Sequence, residues 1–227
     1  MDEPVTLARA DGPRGDIVLR RRGRADAPVY ELIVNGAFAM DSTETETERE
    51  LARIIFEQPT SGGRVLIGGL GLGFTAAEVL QQQVTVVDVV EIEAALVDWA
   101  RRGLTPELAL VAADPRVRID TADIHSVLTN AGQADHGPWD AILLDVDNGP
   151  DFLIHADNAR LYTAEMLACA YARLAPSGLL AIWCQGSAPA LLDLLKEISP
   201  TAAERLMEVR RGDRRFSYAI YTIRRPG

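Results

Sequence analysis

Lysine is almost absent from this sequence. Of its 23 basic residues, only Lys196 is a lysine and the rest are arginine. A Schiff-base or phosphate-loop mechanism therefore has almost nowhere to sit, and Lys196 lies in 191–198, which reads as an ordinary amphipathic helix. Cysteine is scarce as well. Cys169 and Cys184 alone exclude a disulfide framework and a four-cysteine zinc site, so a reducing cytoplasm is the simplest compartment. The three histidines, His125, His136 and His155, show no metal-ligand spacing, and no metal is expected. No run of 18 uncharged apolar residues exists, so no membrane-spanning helix is expected. The opening Met1-Asp2-Glu3-Pro4 lacks the pattern of a secretory signal. Positive charge is in the minority: 23 basic against 33 acidic residues give a net charge of −10. Such a surface repels phosphate backbones, which argues against nucleic-acid binding, and it weakly favours cationic small molecules.

What remains fits one ordinary domain with a small appendage: 227 residues, 48% apolar and 25% charged. Residues 1 to about 40 are β-rich. Runs at 16–20 and 30–34 are β-prone, and Asn35-Gly36 is a strong turn signal before a return strand at 37–40. The acidic stretch 43–50 reads as a solvated helix start, because Leu51, Ile54 and Ile55 follow at helical spacing. A helix at 44–57 ends the appendage, and Pro59 to Gly63 break the chain. The expected division is 1–57 and 58–227.

From Arg64 onward strands and helices alternate. Strands are expected at 64–67, 84–92, 117–121, 141–145 and 179–183. Helices are expected at 74–82, 93–104, 158–174 and 190–198, and the tail reads as a hairpin of 203–210 and 216–224. This alternation implies an α/β fold: a Rossmann-like, mostly parallel sheet with helices on both faces and a C-terminal antiparallel hairpin.

The loop Gly68-Gly69-Leu70-Gly71-Leu72-Gly73 joins a strand to a helix. Its Gly69, Gly71 and Gly73 fit G-x-G-x-G, more typical of adenosylmethionine sites than of dinucleotide sites. Glu91 ends the next strand, where a carboxylate can hold both ribose hydroxyls. Glu93 and Asp88 compete for that role. Asp123 can receive an adenine amino group with Ile124 packed on the ring, or it can cap the helix that follows. Asp145 and Asp147 sit in an acid-rich loop at the sheet's carboxyl edge. They can orient an acceptor amine and take its proton, or the loop can be an Asx-turn with Asn148-Gly149-Pro150 setting its geometry. His155 is either a base or a solvated loop residue, and Cys184 reads as a buried structural thiol.

With these residues in place, the chain resembles the spermidine synthase-like proteins of the class I adenosylmethionine-dependent methyltransferase fold. The resemblance rests on Tyr30 to Phe38, Gly68 to Gly73, Val90-Glu91-Ile92-Glu93, Asp114-Pro115-Arg116-Val117, Asp123, Trp139 to Pro150, Leu161-Tyr162 and Cys184-Gln185-Gly186. It implies that Gly69, Gly71, Gly73, Glu91, Ile92, Asp123 and Ile124 bind S-adenosylmethionine or its decarboxylated form. It further implies that Asp145, with Asp147, is catalytic, that the acceptor is an amine or other small molecule, and that the protein is a homodimer. The departures lie in the polyamine half. Leu72 stands where the family has the aspartate that grips an amino group, Ala39 or Met40 replaces its glutamine, and Glu48 replaces a tyrosine. Replacing that aspartate removes a repulsion against the carboxylate of the intact donor. The readings that follow are aminopropyl transfer, methyl or aminocarboxypropyl transfer, and a non-catalytic nucleoside-binding paralogue. A nicotinamide-dependent dehydrogenase is a distant alternative.

Overall fold

The structure, a computed structural model, describes residues 3–57, 63–129, 138–211 and 214–227, which leaves His136 and most of the 59–63 breaker outside. The N-terminal part is a four-stranded antiparallel meander of β1 (Val5–Gly12), β2 (Gly15–Arg24), β3 (Ala27–Val34) and β4 (Ala37–Asp41). β3 and β4 are joined by a tight turn with φ 51° at Asn35 and 74° at Gly36, the signature of the Asn-Gly hairpin. β1 lies beyond the sequence expectation because none of its residues is buried, so it carries no apolar alternation to read.

α1 (Glu46–Arg53) follows, tightening into a 3-10 turn at Ile54–Glu57. Here the solvated reading of 43–50 needs correction. Thr47 and Glu48 are 5% and 8% exposed, because α1 lies against the body of the protein. Arg49 and Arg53 of α1 pair with Glu78, and Arg205 pairs with Glu50 and Glu57. Such partly exposed pairs contribute little stability; the inward face of α1 is the one that carries Leu51 and Ala52 into the core.

The body is a seven-stranded sheet in the order β10-β11-β9-β8-β5-β6-β7. Its strands are β5 (Arg64–Gly68), β6 (Val86–Glu91), β7 (Val117–Thr121), β8 (Trp139–Leu144), β9 (Leu174–Cys184), β10 (Ala203–Arg211) and β11 (Arg214–Arg224). β5 to β9 run parallel, and β11 is antiparallel to both β9 and β10. The helices are α2 (Phe74–Val79), α3 (Ala94–Arg101), α4 (Pro106–Ala113), α5 (Ile124–Thr129), α6 (Ala164–Ala172) and α7 (Pro189–Ile198). None of the described helices is long and apolar enough to cross a membrane.

Two further differences have local causes. The expected helix at 158–174 is broken at Thr163, which is extended (φ −82°, ψ 151°) and caps α6 by accepting from the Met166 amide. A 3-10 segment, Ala156–Tyr162, precedes it. α4 lies outside the expected helices, although it carries a Thr105 cap and Pro106 in its first turn.

Side chains alternate across β5. Val65 and Ile67 join one apolar cluster, and Leu66 joins the other with Ile142, Leu144 and Leu167. The first cluster also contains Ile17, Leu19 and Leu32 of the meander, Leu51 of α1, and Leu70, Leu72 and Phe74. The N-terminal sheet thus shares one core with the body.

Candidate active site

The chain runs β5–β6–β7 to one side of β5 and then returns to place β8 on the other. Open α/β sheets bind ligands at such a reversal, beyond the strands' carboxyl ends. A cavity of about 210 Å³ lies there. It is lined by the ends of β5, β6 and β8, by the start of α2, and by residues of the meander and α1.

Of the predicted site residues, Gly69, Gly71, Glu91, Ile92, Asp123, Ile124, Asp145 and Asp147 all line this cavity. Gly73 does not. It precedes α2 with φ 88°, facing Leu108 and Glu107. Leu72 is also misplaced by the sequence reading: it is 1% exposed and packs in the core. It does not line the cavity, whereas Gly69, Leu70 and Gly71 do. The argument that Leu72 relieves repulsion against the intact donor therefore loses its geometry.

Glu91 is 7% exposed. Its carboxylate accepts from the Leu70 amide at 2.9 Å and the Glu93 amide at 2.7 Å, which ties the glycine loop to β6. Burial raises its proton affinity, and the two amides oppose that shift. Its two competitors differ in placement, since Glu93 lines the cavity and Asp88 does not. Asp88 is buried against Arg64 and the indole N–H of Trp139, away from the cavity. Glu93 pairs with Arg14 at 3.2 Å.

Of the two sequence readings for Asp123, the structure shows the helix cap. It lines the cavity, and it caps α5 by accepting from the His125 amide at 3.0 Å. Arg160 adds an ion pair at 2.7 Å that nothing in the sequence indicated.

Asp145 follows β8 and accepts from the Thr75 hydroxyl. The same hydroxyl lies 3.3 Å from the Glu48 carbonyl, so Thr75 connects α1 to the β8 loop. Burial, and then the negative charge of Glu48, push the Asp145 carboxyl up to about 7, while Thr75 opposes the shift. An acid with this proton affinity is matched to proton transfer near neutrality.

Asp147 is engaged differently. With φ 60°, it accepts from the amides of Asn148, Ile154 and His155 and from the Asn158 side chain. This is the turn-setting arrangement of an Asx loop. Asp147→Ala should lower stability by about 2 kcal/mol, since three amides lose their acceptor. Thermal unfolding measures it, and an unchanged midpoint would contradict that role.

Cys184 is buried, its thiol pushed up to about 12 by burial, and it packs beside Gly149. It is a structural thiol. His155 does line the cavity. Sequence reasoning missed Thr75, Arg14 and Trp183, which also line it. Thr75 was legible only as the second residue of a helix, and no signal in the sequence marked Arg14. Among the described residues, no three His, Cys, Asp or Glu side chains are grouped to hold a metal ion.

No family model matches the sequence, and no curated protein matches it. Solved structures do. A spermidine synthase in complex with the transition-state analogue AdoDATO superposes with a TM-score of 0.76 at 19% identity, covering 96% of this chain and 73% of that one. The spermidine synthase from Thermotoga maritima gives 0.72 at 18% identity, covering 96% and 72%. With its small antiparallel sheet, seven-stranded body and cavity at the strand reversal, the chain has the fold of the spermidine synthases.

Proposed function

We propose that the protein is an alkyltransferase that moves an aminopropyl group from decarboxylated S-adenosylmethionine to a small amine. The observation that carries this reading is Asp145: a carboxyl poised near neutrality, at the end of β8, in the same cavity as Glu91.

The residues suit a cationic nucleoside donor. Glu91 offers a carboxylate to the ribose, Asp123 and Ile124 offer a polar group and an apolar face to adenine, and Gly69 and Gly71 line the cavity without side chains. Among the described residues, six carboxylates line the cavity: Glu48, Glu91, Glu93, Asp123, Asp145 and Asp147. Among the described residues, the single Lys or Arg lining it, Arg14, is already paired with Glu93. A donor carboxylate would add one more acid to a cavity in which Asp123 and Glu93 already take up arginines, which favours the decarboxylated form.

The donor supplies an alkyl carbon activated by the sulfonium. Asp145, as carboxylate, takes the proton from the acceptor's ammonium and frees the nitrogen lone pair. That lone pair forms the new N–C bond as the C–S bond breaks, and the bonding electrons leave with sulfur as a neutral thioether. The protein's further contribution is alignment and exclusion of water.

The test is the mass of the product formed from an amine with each donor. Aminopropylated amine from the decarboxylated donor is expected. Methylated or aminocarboxypropylated product from the intact donor would replace this reading.

A further inference from the structure

Arg14 joins three walls of the cavity that are far apart in the sequence. It stands in the turn Pro13-Arg14 between β1 and β2, where Gly12 pairs with Gly15. Its Nε lies 3.2 Å from Glu93 Oε1, just beyond the end of β6. Its Nη2 donates to Asn158 Oδ1 at 3.3 Å, in the 3-10 segment Ala156–Tyr162. Arg14, Glu93 and Asn158 all line the cavity.

Both partners stand next to groups that the proposed transfer uses. The Glu93 amide donates to the Glu91 carboxylate at 2.7 Å. Asn158 donates from Nδ2 to Asp147 at 2.7 Å, in the loop that follows Asp145. One guanidinium therefore ends beside the ribose acid with one nitrogen and beside the Asp145 loop with another.

The turn that carries Arg14 is otherwise lightly held. Asp11, Gly12 and Pro13 are exposed, so none of them anchors it in the core. From behind, the Asn35 side chain accepts from the Asp16 amide at 3.0 Å and donates to the Arg14 carbonyl at 3.2 Å. The side chains of Arg14 and Glu93 are 18% and 19% exposed, and ion pairs open to water are individually weak. A turn held by a few such contacts opens at low cost, as segments that cover a ligand must.

We propose that Arg14 is a positioning residue, the clasp of the donor site: its turn closes the cavity on the nucleoside through Glu93 and Asn158, and opens when those two contacts part. The identity of the nucleoside rests on the transferase reading above.

The test is the Kd of methylthioadenosine for the full chain, measured by equilibrium dialysis. This ligand is neutral, so the charge left on Glu93 when Arg14 is removed does not attract it. Arg14→Met keeps the aliphatic stem and loses both contacts. Checked for folding by thermal unfolding, it should weaken binding about fivefold or more. Arg14→Lys replaces the fork by a single amine and should recover only part of that loss. In turnover the effect should fall on KM for the donor rather than on kcat, since Arg14 is placed away from the reacting atoms. Glu93→Gln should weaken binding too. The double variant Arg14→Met with Glu93→Gln should bind within about twofold of Arg14→Met alone, because both remove the same contact. An unchanged Kd in either folded Arg14 variant, a loss confined to kcat, or fold-changes that multiply in the double variant overturns the clasp and leaves the transferase reading intact. No binding of methylthioadenosine by the parent overturns both.

Discussion

Asp145→Asn should reduce turnover by about 10²- to 10⁴-fold, the range expected when a positioned general base is lost. Binding of the nucleoside donor should persist. The asparagine keeps an oxygen to accept from Thr75 but cannot take a proton from an ammonium, so it removes the chemistry while keeping the shape. Steady-state release of methylthioadenosine is the readout, and a variant with unchanged turnover would remove Asp145 from its role.

The same carboxyl sets two opposite pH dependences. In the folded protein Asp145 is raised from 3.8 to about 7, so kcat/KM should climb as pH rises through 7 and the carboxylate forms. Stability moves the other way. A folded state that holds a proton more tightly than the unfolded chain gains stability that is full below pH 3.8 and lost as pH rises through 7. Above 7 the buried charge opposes folding, beside Glu48. The groups sharing the cavity with it are Arg14, Glu48, Glu91, Glu93, Asp123, Asp147 and His155. Asp145→Asn should therefore melt higher than the parent at pH 8 while being nearly inactive. A variant that melted lower there would show the carboxylate to be stabilising, contrary to its environment.

The second large effect is expected at Gly69. Its φ is 94°, and a Cβ there would lie 2.1 Å from the Asp145 carbonyl oxygen. Gly69→Ala must strain the backbone and also push the β8 loop, which carries Asp145, away from the end of β5. The left-handed conformation costs about 1–2 kcal/mol and the overpacking about 1–3 kcal/mol more. Denaturant unfolding should show a loss of roughly 2–5 kcal/mol, together with lost turnover. Gly36 provides the control. Its φ is 74°, but nothing stands within 4 Å of a Cβ, so Gly36→Ala should cost about 1 kcal/mol and leave turnover alone. Equal effects at the two positions would mean that close packing of the loop against β8 is not what Gly69 provides.

The α/β alternation and the carboxyl-edge acids were legible in the sequence because both follow short-range rules. Buried parallel strands such as Val65-Leu66-Ile67 and Ile142-Leu143-Leu144 read as continuous apolar runs, and ligands gather where such strands end. Glu91, Asp123 and Asp145 follow from those two facts. What the sequence hid depends on packing between distant segments. Leu72 and Leu70 look alike in a glycine loop, yet the turn sends one into the core and leaves the other at the cavity. Glu48 sits in a run of alternating acids that reads as solvated, and it is the burial of Leu51 and Ala52 on the same face of α1 that turns it inward. Asp147 differs from Asp145 only in its loop's hydrogen bonds, which no spacing reveals.

The most direct test is ligand-dependent stability of the full chain with decarboxylated S-adenosylmethionine, intact S-adenosylmethionine and methylthioadenosine in parallel. A ligand that binds only the folded state at a hundredfold excess over its Kd adds about 2.7 kcal/mol. The cavity's charges predict the largest rise in midpoint with the decarboxylated donor and a smaller one with the intact donor. Stronger stabilisation by intact S-adenosylmethionine, or none by any of the three, would contradict the account.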